Sequence, residues 1–214
     1  NVHDIKRIKL TRETAYLAGV IVGDGHISDS CKSWDDKSKD YRICIDIVDK
    51  DYLVLVSNMI KLIIKTRSIP KPLKKKDSRK QRFYFQFRNK SFFNFLTEDL
   101  EIPAGKKSRI VSVPVRIKNS PCEIKRYFLA GLFDTDGGFR SKSLGFTTAS
   151  KCLNKDTSDL LEEFGIDHST DVWINKNYGM EYYGIKINSS EIDKFLNDMP
   201  FQNKDKLVRI RSRF

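Results

Sequence analysis

No stretch of this chain approaches the roughly 20 consecutive apolar residues needed to span a bilayer, and its first twelve residues, Asn1 to Arg12, are polar and charged. Neither a membrane span nor a secretory leader is expected, and the reading is an intracellular protein, in a prokaryotic cytoplasm or an organelle. Cysteine is sparse. Cys31, Cys44, Cys122 and Cys152 are scattered with no C-x-x-C pair, and His3, His26 and His168 lie far from them in sequence. That spacing argues against a zinc site and a disulfide framework, and for isolated thiols in a reducing compartment. Negative charge is also short: 28 Asp and Glu stand against 40 Lys and Arg, a formal net charge of +12. With 11% aromatics, this balance points first to nucleic acid and second to an anionic membrane surface. A lysine-rich solvated surface has the same composition, so charge alone does not decide.

The chain has 214 residues, 39% of them hydrophobic, enough for one large domain or two of about 100 residues. A short phrase occurs twice. Residues 17–25 read L-A-G-V-I-V-G-D-G and residues 129–137 read L-A-G-L-F-D-T-D-G. Each is an apolar helical run that stops at Asp-Gly, with Asp24 and Asp136 at the stops. A carboxylate at a helix C-terminus opposes the helix dipole, at a cost of a few tenths to ~1 kcal/mol. The same unfavourable choice in two matching contexts implies a cation at both ends. Gly19 and Gly23 share a helix face, as do Gly131 and Thr135. Small residues four apart let two backbones approach closely, and glycine inside a helix costs ~1 kcal/mol relative to alanine unless something requires it. Helix-on-helix contact supplies that requirement and, for a parallel pair, brings Asp24 and Asp136 out together. Gly25 and Gly137 are then the residues that turn the chain out of each helix.

The order of elements repeats too. After Asp24 come a strand at 25–28, a polar segment at 29–40, and an alternating strand at 41–48 whose Tyr41, Ile43, Ile45 and Ile47 share one face. A helix at 52–64, strands at 67–73 and 82–88, and a helix at 91–100 follow. The second half predicts strands at 139–142 and 144–149, a helix ending at 164–165, strands at 169–175 and 182–188, a helix at 190–199 and a short final helix at 204–211. The spacing agrees: Lys50 to Phe95 is 45 positions and Lys151 to Phe195 is 44. The fold class is therefore α+β, a duplicated α-β-β-α-β-β-α unit. The N-terminal half is 1–102, a proline-bearing linker is 103–123, and the C-terminal half is 124–214.

Two carboxylates at adjacent helix ends repel one another, and a divalent metal relieves the repulsion. Carboxylate oxygens, backbone carbonyls and water suit Mg²⁺, and two or more such ions between paired acids suit phosphodiester hydrolysis.

These repeated phrases resemble the paired motifs of the LAGLIDADG homing endonucleases in their single-chain, pseudo-symmetric form, over nearly the whole chain. The resemblance implies a saddle of two antiparallel sheets on the DNA major groove, with the motif helices packed at the interface. It implies metal-dependent cleavage of both strands of a long, pseudo-palindromic or asymmetric target, leaving 3′ overhangs, by a monomer whose activity moves its host intron or intein. Carried over by motif position, Asp24 and Asp136 are catalytic and bind Mg²⁺, with Mn²⁺ as a substitute, and the carbonyls of Gly23 and Thr135 are further ligands. The sixth motif position is Val22 in one copy and Asp134 in the other, and Asp134 reads as a structural or capping acid. The polar position after the second strand falls on Asp49 and Ser150. The basic residue near the end of the fourth strand falls on Lys90, but on Ser190 in the second half. Lys142, Lys151 and Lys186 are the candidates to replace it, and the two active sites are expected to be chemically unequal.

DNA contact is expected along the most basic stretch. Lys74, Lys75, Lys76 and Arg79 form a hairpin tip suited to phosphate, with Arg67, Lys71 and Lys80 flanking it. Arg82, Tyr84, Gln86 and Arg88 follow on one strand face suited to base edges. In the second half the candidates are Arg140, Lys142, Thr147, Trp173, Asn175, Lys176, Tyr183 and Lys186. Two other readings stay open: an RNA-splicing maturase or DNA-binding regulator that keeps the fold without cutting, and a basic structural nucleic-acid binder. The last gives no reason for paired acids at helix ends.

Overall fold

The computed structural model describes residues 7–28, 40–74, 80–140, 143–177 and 179–213. Helix α1 (Arg12–Asp24) begins at Thr11, whose hydroxyl accepts from the Thr14 N–H while the Thr14 hydroxyl accepts from the Thr11 N–H. This reciprocal cap satisfies two of the donors a helix start leaves bare. The helix is buried from Thr14 to Val22, in keeping with its almost complete lack of a polar face. It runs directly into β1 (Gly25–Ile27), then β2 (Arg42–Ile47), α2 (Lys50–Ile63), β3 (Lys71–Pro72) and β4 (Phe83–Arg88). α3 (Lys90–Asn94) continues as a wide π turn over Phe95–Asp99. After α4 (Val115–Lys118) the pattern restarts with α5 (Cys122–Asp136), β5 (Gly138–Arg140), β6 (Ser143–Thr148), α6 (Lys151–Glu163), β7 (His168–Asn175) and β8 (Met180–Ile187). It closes with α7 (Ile192–Asp198) and α8 (Lys204–Arg211).

The strands form two four-stranded antiparallel sheets, ordered β1-β2-β4-β3 and β5-β6-β8-β7. Strand alternation sets their faces. Ile43, Ile45, Phe85 and Phe87 of the first sheet, and Leu144, Phe146, Ile185 and Ile187 of the second, point into a core that also holds the helices. The opposite faces carry the polar residues. Predicted strand 67–73 shrinks to Lys71–Pro72, because Pro70 and Pro72 cannot donate to a ladder.

α1 and α5 are the centre of the molecule and lie parallel in backbone contact. A Cβ on Gly19 would sit 2.1 Å from the Phe128 carbonyl oxygen, and one on Gly131 2.1 Å from that of Tyr16. One turn further, a Cβ on Gly23 would fall 2.2 Å from Thr135 Oγ1. Gly25 and Gly137 turn the chain out of their helices with extended backbone, φ −88° and −68°. Glycine is needed there for clearance, since a Cβ would come within 2.5 Å of Ile21 Cα and 2.4 Å of the Phe133 carbonyl oxygen respectively.

The stretch between Ile102 and Pro121 buries Val111, Val113 and Ile117. Asp156 of α6 accepts from the Val113 N–H at 3.1 Å and pairs with Lys118 at 3.1 Å, and the buried Ser150 hydroxyl donates to the Val111 carbonyl at 2.5 Å. Among the described residues no helix is long and apolar enough to cross a membrane.

Candidate active site

The parallel helices deliver Asp24 and Asp136 to one place, at the points where β1 and β5 begin. A Cβ on Gly23 would lie 3.4 Å from the Asp136 carboxyl carbon. Neither carboxylate has a hydrogen bond or ion pair with a described residue. Surrounding protein, and then the Asp24 charge, raise the Asp136 pKa to about 6, although its side chain keeps access to solvent. The Asp24 pKa is also raised, first by desolvation, with Arg82, Lys206 and Lys107 opposing.

Two lysines stand at the helix ends. Lys107 Nζ donates to the carbonyls of Val22 (2.5 Å) and Gly23 (3.2 Å) at the end of α1. Lys206 Nζ donates to those of Phe133 (2.8 Å), Asp134 (3.0 Å) and Thr135 (3.1 Å) at the end of α5. Each ammonium thus meets carbonyls that a helix end leaves unsatisfied and offsets the dipole there. Burial lowers both lysine pKa values, that of Lys206 to about 8, against the pull of the nearby acids. Sequence reasoning missed both, yet a signal existed: Lys107 lies twelve positions after Phe95, and Lys206 eleven after Phe195.

Lys206 is held by a buried network. Asp134 Oδ2 accepts from the Gln202 and Asn203 N–H groups (2.7 and 3.2 Å) and from the Tyr16 hydroxyl (2.6 Å), which also meets the Tyr52 hydroxyl at 2.8 Å. Asn203 Oδ1 in turn caps α8 at the Lys206 N–H. Asp134 therefore pins the turn from which Lys206 projects. Val22 occupies the matching motif position in α1, and Lys107 comes from an irregular segment.

The other sequence-derived residues fall as follows. Asp49 and Ser150 are helix N-caps, accepting from Tyr52 N–H and Leu153 N–H. The Asp49 carboxylate also lies 4.0 Å from Arg209 of α8. Lys90 opens α3 with its ammonium 5.8 Å from the Tyr41 ring centroid. Lys151 is the exposed first residue of α6, and Lys186 pairs with Asp171 at 3.1 Å. On the solvent face of the first sheet, Tyr84, Gln86 and Arg88 share a side, with Lys71 opposite Tyr84. Arg82 precedes β4 and is bound to Asp46, Nε to Oδ1 at 2.8 Å and Nη2 to the carbonyl at 2.7 Å. Arg67, Lys74 and Lys80 are exposed. Thr147, Lys186, Trp173 and Asn175 share the solvent face of the second sheet, with Lys176 exposed in the turn beyond. Tyr183 is on the opposite face: it pairs with Thr148 and Val172, and its hydroxyl bonds Glu181 at 2.5 Å. Its neighbour Tyr182 takes the solvent face and stacks on Trp173, centroids 6.2 Å apart. Lys75, Lys76, Arg79, Lys142 and the Arg140 side chain lie outside the described residues.

The donor set fits a hard divalent cation. Two carboxylates without a hydrogen bond or ion pair to any described residue face one space, and ionisation of one disfavours that of the other. Among the described residues no cluster of three or more His, Cys, Asp or Glu side chains could enclose a metal. A cation between Asp24 and Asp136 would therefore complete its shell from water and phosphate oxygens, the usual arrangement for Mg²⁺. The Gly23 and Thr135 carbonyls are bonded to Lys107 and Lys206 in this structure.

Residues 123–200 match the family described as LAGLIDADG-like domain. The fold is similar to that of the homing endonuclease I-DmoI solved in complex with DNA and calcium, with a TM-score of 0.69 at 18% identity, covering 96% of this chain and 100% of that one. Two curated relatives match about half of the chain. The replication factor C small subunit of Methanocaldococcus jannaschii is 37% identical over 107 residues, 50% of this chain and 6% of that protein. The tRNA-splicing ligase RtcB of Pyrococcus furiosus is 28% identical over 125 residues, 51% of this chain and 13% of that protein. Residues 123–200 thus carry a LAGLIDADG-like domain around one motif, a second copy of the phrase lies in α1, and the chain shares its fold across both halves with the single-chain homing endonuclease I-DmoI.

Proposed function

We propose that this chain is a site-specific double-strand DNA endonuclease that hydrolyses one phosphodiester bond in each strand, using divalent cations held by Asp24 and Asp136. The observation that carries this reading is the pair of carboxylates, without a partner among the described residues, set side by side at the start of both sheets, each helix end flanked by a lysine. Mg²⁺, or Mn²⁺ in its place, supplies Lewis-acid activation of water and charge stabilisation at the leaving oxygen. Asp24 and Asp136 hold the cations. Lys107 and Lys206 add positive charge where a phosphate must approach. With a pKa of about 8, Lys206 can also exchange a proton at Nζ near neutral pH. The product ends implied by the family are 3′ overhangs with 5′ phosphates.

The relatives support a reading of the host relationship. The chain spans 6% and 13% of the lengths of two proteins with unrelated names, a replication factor and an RNA ligase. One module inside two different proteins is the pattern of a mobile insert. Because both matches lie within translated proteins, this favours an intein over an intron as the host element. Incubating the protein and Mg²⁺ with a randomised duplex library, then sequencing the cut ends, tests the reading. A single related set of target sites with staggered ends is expected, absent in EDTA. Uncut DNA over a range of Mg²⁺ and Mn²⁺ concentrations would refute it.

Metal binding should also be visible without DNA. The Asp136 carboxyl titrates at about 6, above its ordinary value of 3.8. Its contribution to the stability of the metal-free protein is therefore fully present below pH 3.8 and is lost as pH rises through 6. A cation requires the ionised form. Calcium at about 100 times its Kd is expected to raise the Tm by roughly 5–10 °C at pH 7.5, and by far less at pH 5. Equal shifts at the two pH values, measured by thermal melts, would contradict a site built on Asp136.

A further inference from the structure

Arg42 of β2 and Arg88 of β4 are direct cross-strand partners on the solvent face of the first sheet. Like charges placed opposite one another destabilise a sheet. Among the described residues one carboxylate lies between them: Asp40 Oδ1 accepts from Arg88 Nε at 2.9 Å, and Asp40 Oδ2 lies 3.2 Å from Arg42 Nε. One oxygen holds Arg88 by a hydrogen bond; the other makes an ion pair with Arg42 at its Nε and also accepts from the Ser28 hydroxyl at 3.4 Å. Each guanidinium keeps its terminal edge, with both Nη groups, unclaimed by any described residue, and the side chains stay 40% (Arg42) and 63% (Arg88) exposed. Arg82, on the same sheet, differs. Asp46 takes its Nε and one Nη, so it has no complete terminal edge left.

A guanidinium fixed through Nε presents two parallel N–H donors, which match O6 and N7 of guanine in the major groove. We infer that Arg42 and Arg88, braced by Asp40, are a guanine-reading pair, and that Asp40 sets specificity by positioning them. The inference rests on the DNA-binding reading above. Facing side chains on neighbouring strands are about 5 Å apart, so the two guanines belong within one or two base-pair steps of each other. Asp46, whose charge acts on Asp24, is four residues further along β2. At ~3.3 Å per residue, the guanines lie roughly four base pairs outward from the position Asp46 faces.

The test is selection of bound duplexes from a random library by the wild-type protein, Arg42→Ala, Arg88→Ala and Asp40→Asn, with calcium in place of magnesium. The wild type should enrich two close guanines in one half-site. Arg42→Ala should lose the preference at one of them and Arg88→Ala at the other, each by roughly 10- to 100-fold. Asp40→Asn should flatten both while overall affinity holds or rises, since one negative charge is gone. The inference is overturned if the wild type shows no such guanines, if the arginine variants weaken all sequences alike as phosphate contacts do, or if Asp40→Asn leaves both preferences intact. Should Asp40→Asn fail to fold, the arginine variants still decide, because each leaves Asp40 one partner. Failure to bind any duplex would refute the DNA-binding reading itself; a sequence preference indifferent to these residues refutes only the arginine assignment.

Discussion

Asp24→Asn and Asp136→Asn are each expected to reduce double-strand cleavage by roughly 10³-fold or more, with DNA affinity nearly unchanged. The substitution keeps shape and removes the charge on which a cation depends. Neither carboxylate holds any described part of the protein in place, so the loss should not come through misfolding. Stability in fact separates this explanation from a structural one. The Asp136 pKa is raised because the folded protein, and Asp24 within it, resist its ionisation. A neutral isostere removes that resistance, so metal-free Asp136→Asn should melt at or above the wild-type temperature at pH 7.5. A variant that cuts at the wild-type rate, or one that loses activity only because its Tm has fallen, would defeat the assignment.

The largest effect on stability is expected from Gly131→Ala. A methyl group there meets the Tyr16 carbonyl oxygen at 2.1 Å and the Val20 nitrogen at 3.0 Å. Both are backbone atoms of a buried helix, so no side chain can swing aside and the two helices must separate. The destabilisation should reach about 3 kcal/mol or more, a fall in Tm of roughly 6–12 °C for a chain of this size. Gly138→Ala is the control: a Cβ there meets nothing within 4 Å, and the Tm should stay within about 1 °C of the wild type. Similar melting of Gly131→Ala and the wild type would mean that the helices are not in backbone contact.

Much of the architecture is legible in the chain because it is written in local, repeating terms. The two Asp-Gly stops, the glycine spacing and the alternation of Tyr41, Ile43, Ile45 and Ile47 reflect helix and strand periods and need no tertiary knowledge. The α+β duplication with paired motif helices follows from them. The losses are of other kinds. Strand β3 is cut short by Pro70 and Pro72, which a hydrophobicity pattern does not weigh. Tyr182 and Tyr183 are adjacent, and in a strand a single step of register exchanges the faces they occupy. Lys107 and Lys206 stand on segments with no periodicity to mark them: one is irregular, the other an early turn of a short helix. Their position depends on chain that folds back onto helix ends more than 70 residues away in sequence. Arg42 faces outward on β2 by simple alternation, but it stands outside the basic run that marks the DNA face in the sequence.

The Tyr16–Asp134 hydrogen bond has a consequence for assembly. The two motif helices are near-copies, and each carries a glycine-lined apolar face that could pair with a second copy of itself. Aligned on the repeat, Tyr16 corresponds to Phe128 and Asp134 to Val22. Two α5 helices from different molecules would bury two Asp134 carboxylates without the tyrosine hydroxyl. Two α1 helices would set two Tyr16 hydroxyls against Val22. Only the pairing of α1 with α5 makes the bond between these two groups, and a hydrogen bond to a charged group contributes roughly 1.5–3 kcal/mol. Like-with-like pairing of two α1 or two α5 helices is thereby disfavoured, and the unlike pairing of the two halves is favoured by chemistry built into the repeat itself.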